Sequence, residues 1–217
     1  MATWSSAQLG DIDEITDGRS PWRPVRHRLG ISAFGVNAFT GKETGDRLIN
    51  EHDEADDAQE ELYLVHSGRA RFELDGESLD APAGTFVFVE PGIKRTAFAV
   101  EPNTTLVAVG GVPGKAYEVH GWDIWGPIQP LYQAGEYEQA ADRLEEALAD
   151  DPPYWGLHYN AACIYSLTGR TEPAVAHLRR AHELAGDSAN VREMAKGDSD
   201  LDGIRGEPGY RALIDQA

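Results

Sequence analysis

The spacing of apolar residues changes abruptly near residue 120. From residue 29 to residue 119, Gly and Pro recur roughly every eight to twelve residues and separate short runs such as EELYLV, TFVFV and TTLVAVGG. Many short strands at even spacing are typical of an antiparallel sandwich or barrel. Beyond residue 120, stretches such as YEQAADRLEEALAD carry apolar residues at helical spacing. The sequence therefore predicts a multidomain protein with a β domain followed by an α-helical domain.

The helical part contains an internal repeat. The stretches AGEYEQAADRLEEAL and TGRTEPAVAHLRRAH align at an offset of 34 residues, which is the distance from Gly135 to Gly169. The same offset relates three further pairs of residues: Ala140 and Ala174, Leu144 and Leu178, and Ala147 and Ala181. Small residues at these positions let two antiparallel helices approach closely, and the large residue fills the groove between them. A period of 34 residues with this order is typical of tetratricopeptide repeats, which residues 122–186 resemble.

The C-terminal tail, NVREMAKGDSDLDGIRGEPGYRALIDQA, predicts two or three short helices. Its apolar residues are expected to cover the exposed face of the last repeat, because the terminal unit of such an array needs a cap. These residues are Leu201, Ile204, Tyr210, Leu213 and Ile214. Some tetratricopeptide proteins grip the terminal carboxylate of a peptide with Lys and Arg, but the helix YWGLHYNAACIYSL has neither. We therefore expect Tyr159, Asn160 and Cys163 to be packing residues.

Two motifs with fixed spacing lie in the β domain. EELYLVHSG contains Glu61, six further residues and then Gly68. GTFVFVEPGIKRTAFAV begins at Gly84 and continues with five residues, the tripeptide EPG, two residues and Arg95. Both spacings resemble motifs of the cupin superfamily, and the resemblance covers about residues 29–119. It implies a double-stranded β-helix, or jelly-roll, barrel that often holds a metal ion between its strands.

The resemblance also implies four metal ligands, and this chain keeps only one of them in place. Glu61 stands where the family has a Glu, His52 is displaced by one position from the first His, Glu54 falls where the second His belongs, and Arg95 replaces the third His. An arginine keeps its proton, offers no lone pair and repels a divalent ion. We therefore expect no cofactor, and we expect Arg95 to pair with Glu61 inside the barrel as the counter-charge that a metal would otherwise supply. Should a divalent metal bind, its expected ligands are His52, Glu54 and Glu61.

Strand alternation predicts which side chains line the barrel. If Glu61 and Arg95 point inward, the residues two positions along each strand do so too, and one of these is a small alanine that leaves room for a ligand. The ligand-binding residues predicted for this pocket are His52, Glu61, Tyr63, Arg95 and Ala97. Alternatively, Tyr63, Phe86 and Phe88 fill the same space as an ordinary core.

Charge and cysteine content exclude several classes of function. The net charge is −18, from 19 basic and 37 acidic residues, and such a chain is poorly suited to bind nucleic acid or anionic lipid. Cys163 is the only cysteine, so neither an intramolecular disulfide nor a thiolate zinc cluster can form. No apolar run approaches the length of a membrane span, and the acidic N-terminus lacks an apolar signal core. We expect a cytoplasmic protein that binds neither nucleic acid nor membranes.

These observations predict three segments and leave two classes of function open. We expect residues 1–24 to pack on the barrel, residues 25–119 to form the cupin-like barrel, and residues 120–217 to form the tetratricopeptide-like domain with its capping helices. The favoured function is a non-catalytic small-ligand-binding or scaffold protein whose helical domain meets a partner protein. The alternative is a metal-dependent oxygenase or isomerase of a small organic substrate, and the sequence leaves open whether the chain is an enzyme. The cupin resemblance implies a homodimer that associates through the barrel.

Overall fold

In a computed structural model, the chain divides into two units, Met1–Val119 and His120–Ala217. The structure describes residues 4–16, 18, 20–149 and 151–215. The first unit is built mainly of strands and the second of helices, so the predicted fold class is confirmed. Within the described ranges, none of the helices is both long and apolar enough to cross a bilayer.

The described part of the first unit has nine strands in two antiparallel sheets. They are β1 Trp22–Arg23, β2 Gly35–Gly41, β3 Arg47–His52, β4 Glu60–Ser67, β5 Arg69–Leu74, β6 Glu77–Pro82, β7 Phe86–Val89, β8 Arg95–Ala99 and β9 Thr104–Gly111. One sheet has the order β1-β2-β9-β4-β7 and the other has the order β3-β8-β5-β6. A 3-10 helix at Leu9–Asp11 and the short helix α1, Val25–Leu29, precede most of the strands.

The turn between β5 and β6 shows how local sequence fixes the sheet register. Asp75 and Gly76 have φ angles of 48° and 86°, a pair of left-handed conformations that a tight hairpin requires and that glycine adopts without strain. The strands on either side then pair from Arg69 with Pro82 to Leu74 with Glu77. The Asp-Gly pair thus closes a two-residue hairpin between β5 and β6.

The N-terminal segment contributes to the five-stranded sheet. Trp22 is buried and pairs with Phe39, which makes β1 an edge strand beside β2. Ile15 is also buried and forms a bridge with Trp22. Trp4 remains exposed, so the packing of this segment depends on Ile15 and Trp22 and not on its first tryptophan.

The core of the first unit lies between the two sheets. Its buried side chains come from the inward positions of both sheets and include Leu48, Tyr63, Val65, Phe72, Val87, Ala97 and Leu106. The rings of Tyr63 and Phe72 are in tilted contact, with centroids 5.6 Å apart. Burial of this apolar surface stabilises the packing of the two sheets against each other.

The second unit consists of short and medium helices. They are α2 Gly121–Trp125, α3 Gln129–Gln133, α4 Tyr137–Ala147, α5 Trp155–Leu167, α6 Thr171–Ala185, α7 Val191–Gly197, a 3-10 helix at Ser199–Ile204 and α8 Pro208–Ile214. Most residues that the repeat pairs on α4 and α6 are buried, namely Ala140, Leu144, Ala174, Leu178 and Ala181. Ala147, the partner of Ala181, is partly buried and packs against the same core. Gly135 and Gly169 both have positive φ angles, 76° and 71°, in the equivalent turns before α4 and α6.

The C-terminal tail joins the core of the second unit. Leu201, Ile204, Tyr210 and Leu213 are buried, and Ile214 packs against the same cluster. The predicted capping residues therefore cover the last repeat, as the end of a repeat array requires.

Candidate functional site

Strands β4 and β8 aim the polar residues of the site into the barrel. Along β4, Glu61, Tyr63 and Val65 alternate with outward side chains, and Tyr63 and Val65 are fully buried. On β8, Arg95 is buried on the inward side, and its cross-strand partner on β3 is His52. Residues that face each other across a ladder share one face of the sheet, so His52 and Arg95 meet at the same end of the barrel.

Glu61 is the centre of this group. Its Oε2 atom lies 3.1 Å from Nε2 of His52 and also accepts a hydrogen bond from the hydroxyl of Tyr63. The Nε atom of Arg95 lies 3.6 Å from the same oxygen. One carboxylate oxygen is thus surrounded by an imidazole, a phenol and a guanidinium.

Arg95 is the most unusual side chain of the site because it is 0% exposed. Its Nη2 donates to the carbonyl oxygen of Glu90 at 3.0 Å, whereas Nε and Nη1 have no hydrogen-bond partner among the described residues. It faces Glu61 as the sequence predicts, but the 3.6 Å separation makes this an ion pair without a direct hydrogen bond. A buried cation in this place needs the neighbouring carboxylate charge, since an unpaired one would be costly.

His52 connects Glu61 to a second carboxylate. Its Nε2 lies 3.3 Å from Oε1 of Glu54, and its Nδ1 lies 2.8 Å from the carbonyl oxygen of Asn50. Because a carbonyl oxygen only accepts, Nδ1 carries a proton, and the imidazole is oriented with Nε2 toward the two acids. Gln59 holds Glu54 from the other side by donating to its Oε2 at 3.2 Å.

Burial and charge shift the pKa values of these groups in different directions. Burial alone would raise the pKa of Glu61, but hydrogen bonds from His52 and Tyr63 and the charge of Arg95 outweigh it, so the pKa falls below the usual value. Burial, together with the charge of Glu61, raises the pKa of Glu54. Burial opposes the charged form of His52, yet the hydrogen bonds to Glu61 and Asn50 raise its pKa overall. The site therefore favours the ionised form of Glu61, and relative to free side chains it favours the protonated forms of His52 and Glu54.

Solvent reaches only the outer layer of the site. The side chain of His52 is 32% exposed and those of Glu54 and Glu61 are each 16% exposed. Tyr63 and Ala97, which the sequence predicts to line the pocket, are fully buried beneath this layer. An incoming ligand would therefore meet two carboxylates and one imidazole, while Arg95 and Tyr63 act on it through Glu61.

The sequence prediction for the phenylalanines of β7 is wrong. Phe86 and Phe88 are 64% and 56% exposed and do not fill the barrel, whereas Val87 and Val89 point inward. Tyr63, the third residue of that alternative, does pack in the core, where its ring contacts Phe72. Phe86 and Phe88 instead stand opposite Leu64 and Leu62 on the outer surface of the sheet.

The three solvent-accessible groups are candidate ligands for a metal. One nitrogen of His52 and one oxygen each from Glu54 and Glu61 lie within 4.8 Å of one another. However, Oε2 of Glu61 already receives the Tyr63 hydroxyl and faces a guanidinium that no change of pH near neutrality can discharge. The donor set resembles that of a metal site, but with Arg95 in place the residues do not fit a divalent cation.

Three contacts of the site could not be found by sequence reasoning. The carbonyl groups of Asn50 and Glu90 orient His52 and Arg95, and backbone acceptors leave no signature in the sequence. Gln59 lies in an acidic loop whose composition indicates only a solvated segment, although its amide positions Glu54. Glu54 itself adopts a positive φ of 55°, which turns the chain back toward β4.

Known proteins are similar to parts of this chain. Residues 131–196 match a family model described as a tetratricopeptide repeat. Solved structures similar to about half of the chain include a cupin protein from Bacteroides fragilis, with 16% identity, 55% of this chain and 93% of that chain covered, and a TM-score of 0.42. They also include a predicted oxalate decarboxylase from Thermotoga maritima, with 13% identity, 50% and 99% covered, and a TM-score of 0.42. An RmlC-like cupin from Shewanella frigidimarina has 12% identity, 52% and 95% covered, and a TM-score of 0.38.

No curated protein matches this chain. The first unit is similar to cupin structures and the second contains a tetratricopeptide-type region, as the sequence predicts.

Proposed function

We propose that this protein binds a small polar ligand at the mouth of its barrel without a metal cofactor, and that its helical unit meets a partner protein. The observation that carries the proposal is Arg95, a fully buried guanidinium that faces Glu61 where a metal-binding histidine is expected from the cupin resemblance. A permanent cation there supplies the charge that Glu61 requires and repels a divalent ion.

The shape of the site supports a small ligand bound near the surface. Tyr63, Phe72 and Ala97 are fully buried. A ligand that arrives from solvent therefore reaches the partly exposed side chains of His52, Glu54 and Glu61. These groups offer carboxylate acceptors and one imidazole. They favour a ligand that presents hydroxyl or amine donors. The Glu61 carboxylate is already engaged by His52, Tyr63 and Arg95 and is poorly placed to attack a substrate, so we favour recognition over covalent chemistry.

Metal content tests this proposal directly. We expect the purified chain to hold far less than one equivalent of iron, manganese, nickel or zinc by elemental analysis, and we expect no increase in melting temperature when any of these ions is added. Protein treated with a chelator and then dialysed serves as the control, because it should melt at the same temperature as untreated protein. One tightly held equivalent of metal would refute metal-independent binding.

The second candidate function is a metal-dependent enzyme that acts on a small organic substrate. One observation favours it, namely that the nitrogen and carboxylate donors of His52, Glu54 and Glu61 converge within 4.8 Å. In that case the same elemental analysis would show a stoichiometric metal, and substitution of His52 by Ala would remove it.

The proposal includes a homodimer formed through the outer face of the barrel. Phe86 and Phe88 on the edge strand β7 are the most exposed apolar side chains of this face, and they stand beside Leu62 and Leu64 on β4. Next to β4, β9 contributes Val107 and Val109 in register. Exposed apolar surface of this kind marks an interaction site. In a chain of net charge −18, it also offers a face where two acidic molecules can meet without bringing like charges together.

A double substitution tests the dimer face. Phe86→Glu with Phe88→Glu is expected to convert a dimer into a monomer, because four new carboxylates would be buried at a two-fold interface. Light scattering coupled to size-exclusion chromatography measures the mass. Trp4→Glu is the matched control, since Trp4 is equally apolar and exposed but lies outside the face. If wild type is already monomeric at high micromolar concentration, the dimer is excluded.

The proposal also places the protein in the cytoplasm. It rests on the single cysteine, Cys163, which makes no disulfide and lies buried in the second unit.

A further inference from the structure

In the second unit, one face of α5 is covered by a segment of the same chain. The segment runs from Asp198 through the 3-10 helix Ser199–Ile204. Asp198 precedes this helix and caps it, with its Oδ1 accepting from the backbone N–H of Asp200 at 3.0 Å. The segment lies beyond residue 196, where the tetratricopeptide match ends.

The groove binds the two aspartates of this segment with uncharged donors. The hydroxyl of Tyr159 donates to Oδ2 of Asp198 at 2.9 Å, and Sγ of Cys163 lies 3.6 Å from the same oxygen. The hydroxyl of Tyr132 on α3 donates to Oδ2 of Asp200. Burial and the charge of Asp198 raise the pKa of the Cys163 thiol, so it stays protonated and can donate. Hydrogen bonds to an ionised acceptor are the stronger kind, which compensates for the missing Lys and Arg on α5.

Apolar contacts complete the fit. Leu201 and Ile204 are fully buried against the helical core. Gly203 lies directly on α5, because a Cβ atom at that position would come within 2.9 Å of the carbonyl oxygen of Ser166. The groove thus selects carboxylates at two positions, an apolar residue directly after the second and a glycine two residues further on.

We propose that the groove between α3 and α5 is a binding surface for acidic peptide segments of the form Asp-x-Asp-Leu, and that residues 198–204 occupy it as a ligand in cis. A partner protein that carries such a segment would take the same place in trans. This inference rests on the partner-binding role proposed for the helical unit and names the chemistry of that partner. The inference about the groove does not depend on what the barrel binds. The metal content of the protein therefore neither supports nor refutes it.

The single cysteine reports whether the segment leaves the groove. Cys163 is buried beneath Asp198, so a thiol reagent reaches it only when the segment opens. In full-length protein, Asp198→Asn with Asp200→Asn is expected to speed the modification of Cys163 about tenfold or more, with little dependence on urea, because local opening exposes little surface. Asp202→Asn is the matched control, since Asp202 lies in the same helix and its carboxylate pairs with Arg205.

A fluorescent peptide with the sequence GDSDLDGIRG, residues 197–206, tests binding in trans. It is expected to bind the double variant at least about tenfold more tightly than wild type, where the tethered segment competes at high effective concentration. It should also slow the modification of Cys163 in that variant, and the same peptide with Asn for both groove aspartates should not bind. If the peptide binds neither protein, or if Cys163 reacts in every form only at the rate of global unfolding, the segment is a fixed part of the core and the proposal is wrong.

Discussion

Arg95→Leu is expected to lower the free energy of unfolding of the barrel by about 3–5 kcal/mol at neutral pH. The substitution removes the guanidinium 3.6 Å from Glu61 and leaves a largely buried carboxylate with only His52 and Tyr63 as partners. Removing one member of a buried ion pair costs more than the pair itself contributes, because the remaining charge stays out of water. Equilibrium unfolding in urea measures the loss. Arg71→Leu is the control, since Arg71 is about half exposed and should change stability by roughly 0.5 kcal/mol or less.

A double-mutant cycle and a change of pH separate this explanation from simple loss of packing. Glu61→Gln combined with Arg95→Leu should be less destabilising than the sum of the single substitutions, because no buried charge is left. In wild type the pKa of Glu61 is lowered, so the stability that its charge provides is present above the carboxyl's usual value of 4.5 and is lost as pH falls through the lowered pKa. The cost of Arg95→Leu should therefore be full at pH 7 and shrink below pH 4.5. A cost that is additive and independent of pH would show that Arg95 acts only as packing.

Strand alternation predicted the centre of the site but not its outer contacts. Glu61 and Arg95 could be placed inside the barrel because each belongs to a strand whose register the motif glycines fix. The same rule failed on β7, where TFVFV has apolar residues on both faces and the pattern therefore does not show which face is inside. The approach of Glu54 to His52 depends on a loop with a positive φ, which neither alternation nor composition indicates.

In the helical unit too, the sequence predicts the burial that the repeat determines but not the contacts between residues far apart in the chain. The 34-residue repeat predicted the burial of Leu144 and Leu178, because the same helix pair recurs and each large residue fills the same groove. The contact of Cys163 with Asp198 joins residues 35 positions apart, a distance that differs from the repeat period and is not indicated by it. Sequence reasoning identified Cys163 as a buried packing residue, and only the fold shows that it faces a carboxylate.

Arg95→His is expected to turn the barrel into a metal site. The nitrogen and two carboxylate oxygens of His52, Glu54 and Glu61 already lie within 4.8 Å of one another, and an imidazole at position 95 would add a fourth donor from about the place that the guanidinium Nε now occupies. The same substitution removes the fixed positive charge that repels a cation. We expect zinc or nickel to bind the variant with micromolar affinity or better. Free metal at a hundredfold excess over Kd would then stabilise the variant by about 2.7 kcal/mol, which appears as a rise of several degrees in Tm.

Comparison with Arg95→Leu shows which property of arginine excludes the metal. Leucine removes the charge without supplying a ligand. The Arg95→Leu variant should therefore bind metal at most weakly, through the three remaining donors. If Arg95→Leu binds zinc as tightly as Arg95→His, repulsion alone kept the ion out, and His52, Glu54 and Glu61 form a complete site of three ligands. If wild type binds zinc by calorimetry and neither variant does, the guanidinium does not take the place of a metal. The proposal of metal-independent binding is then wrong.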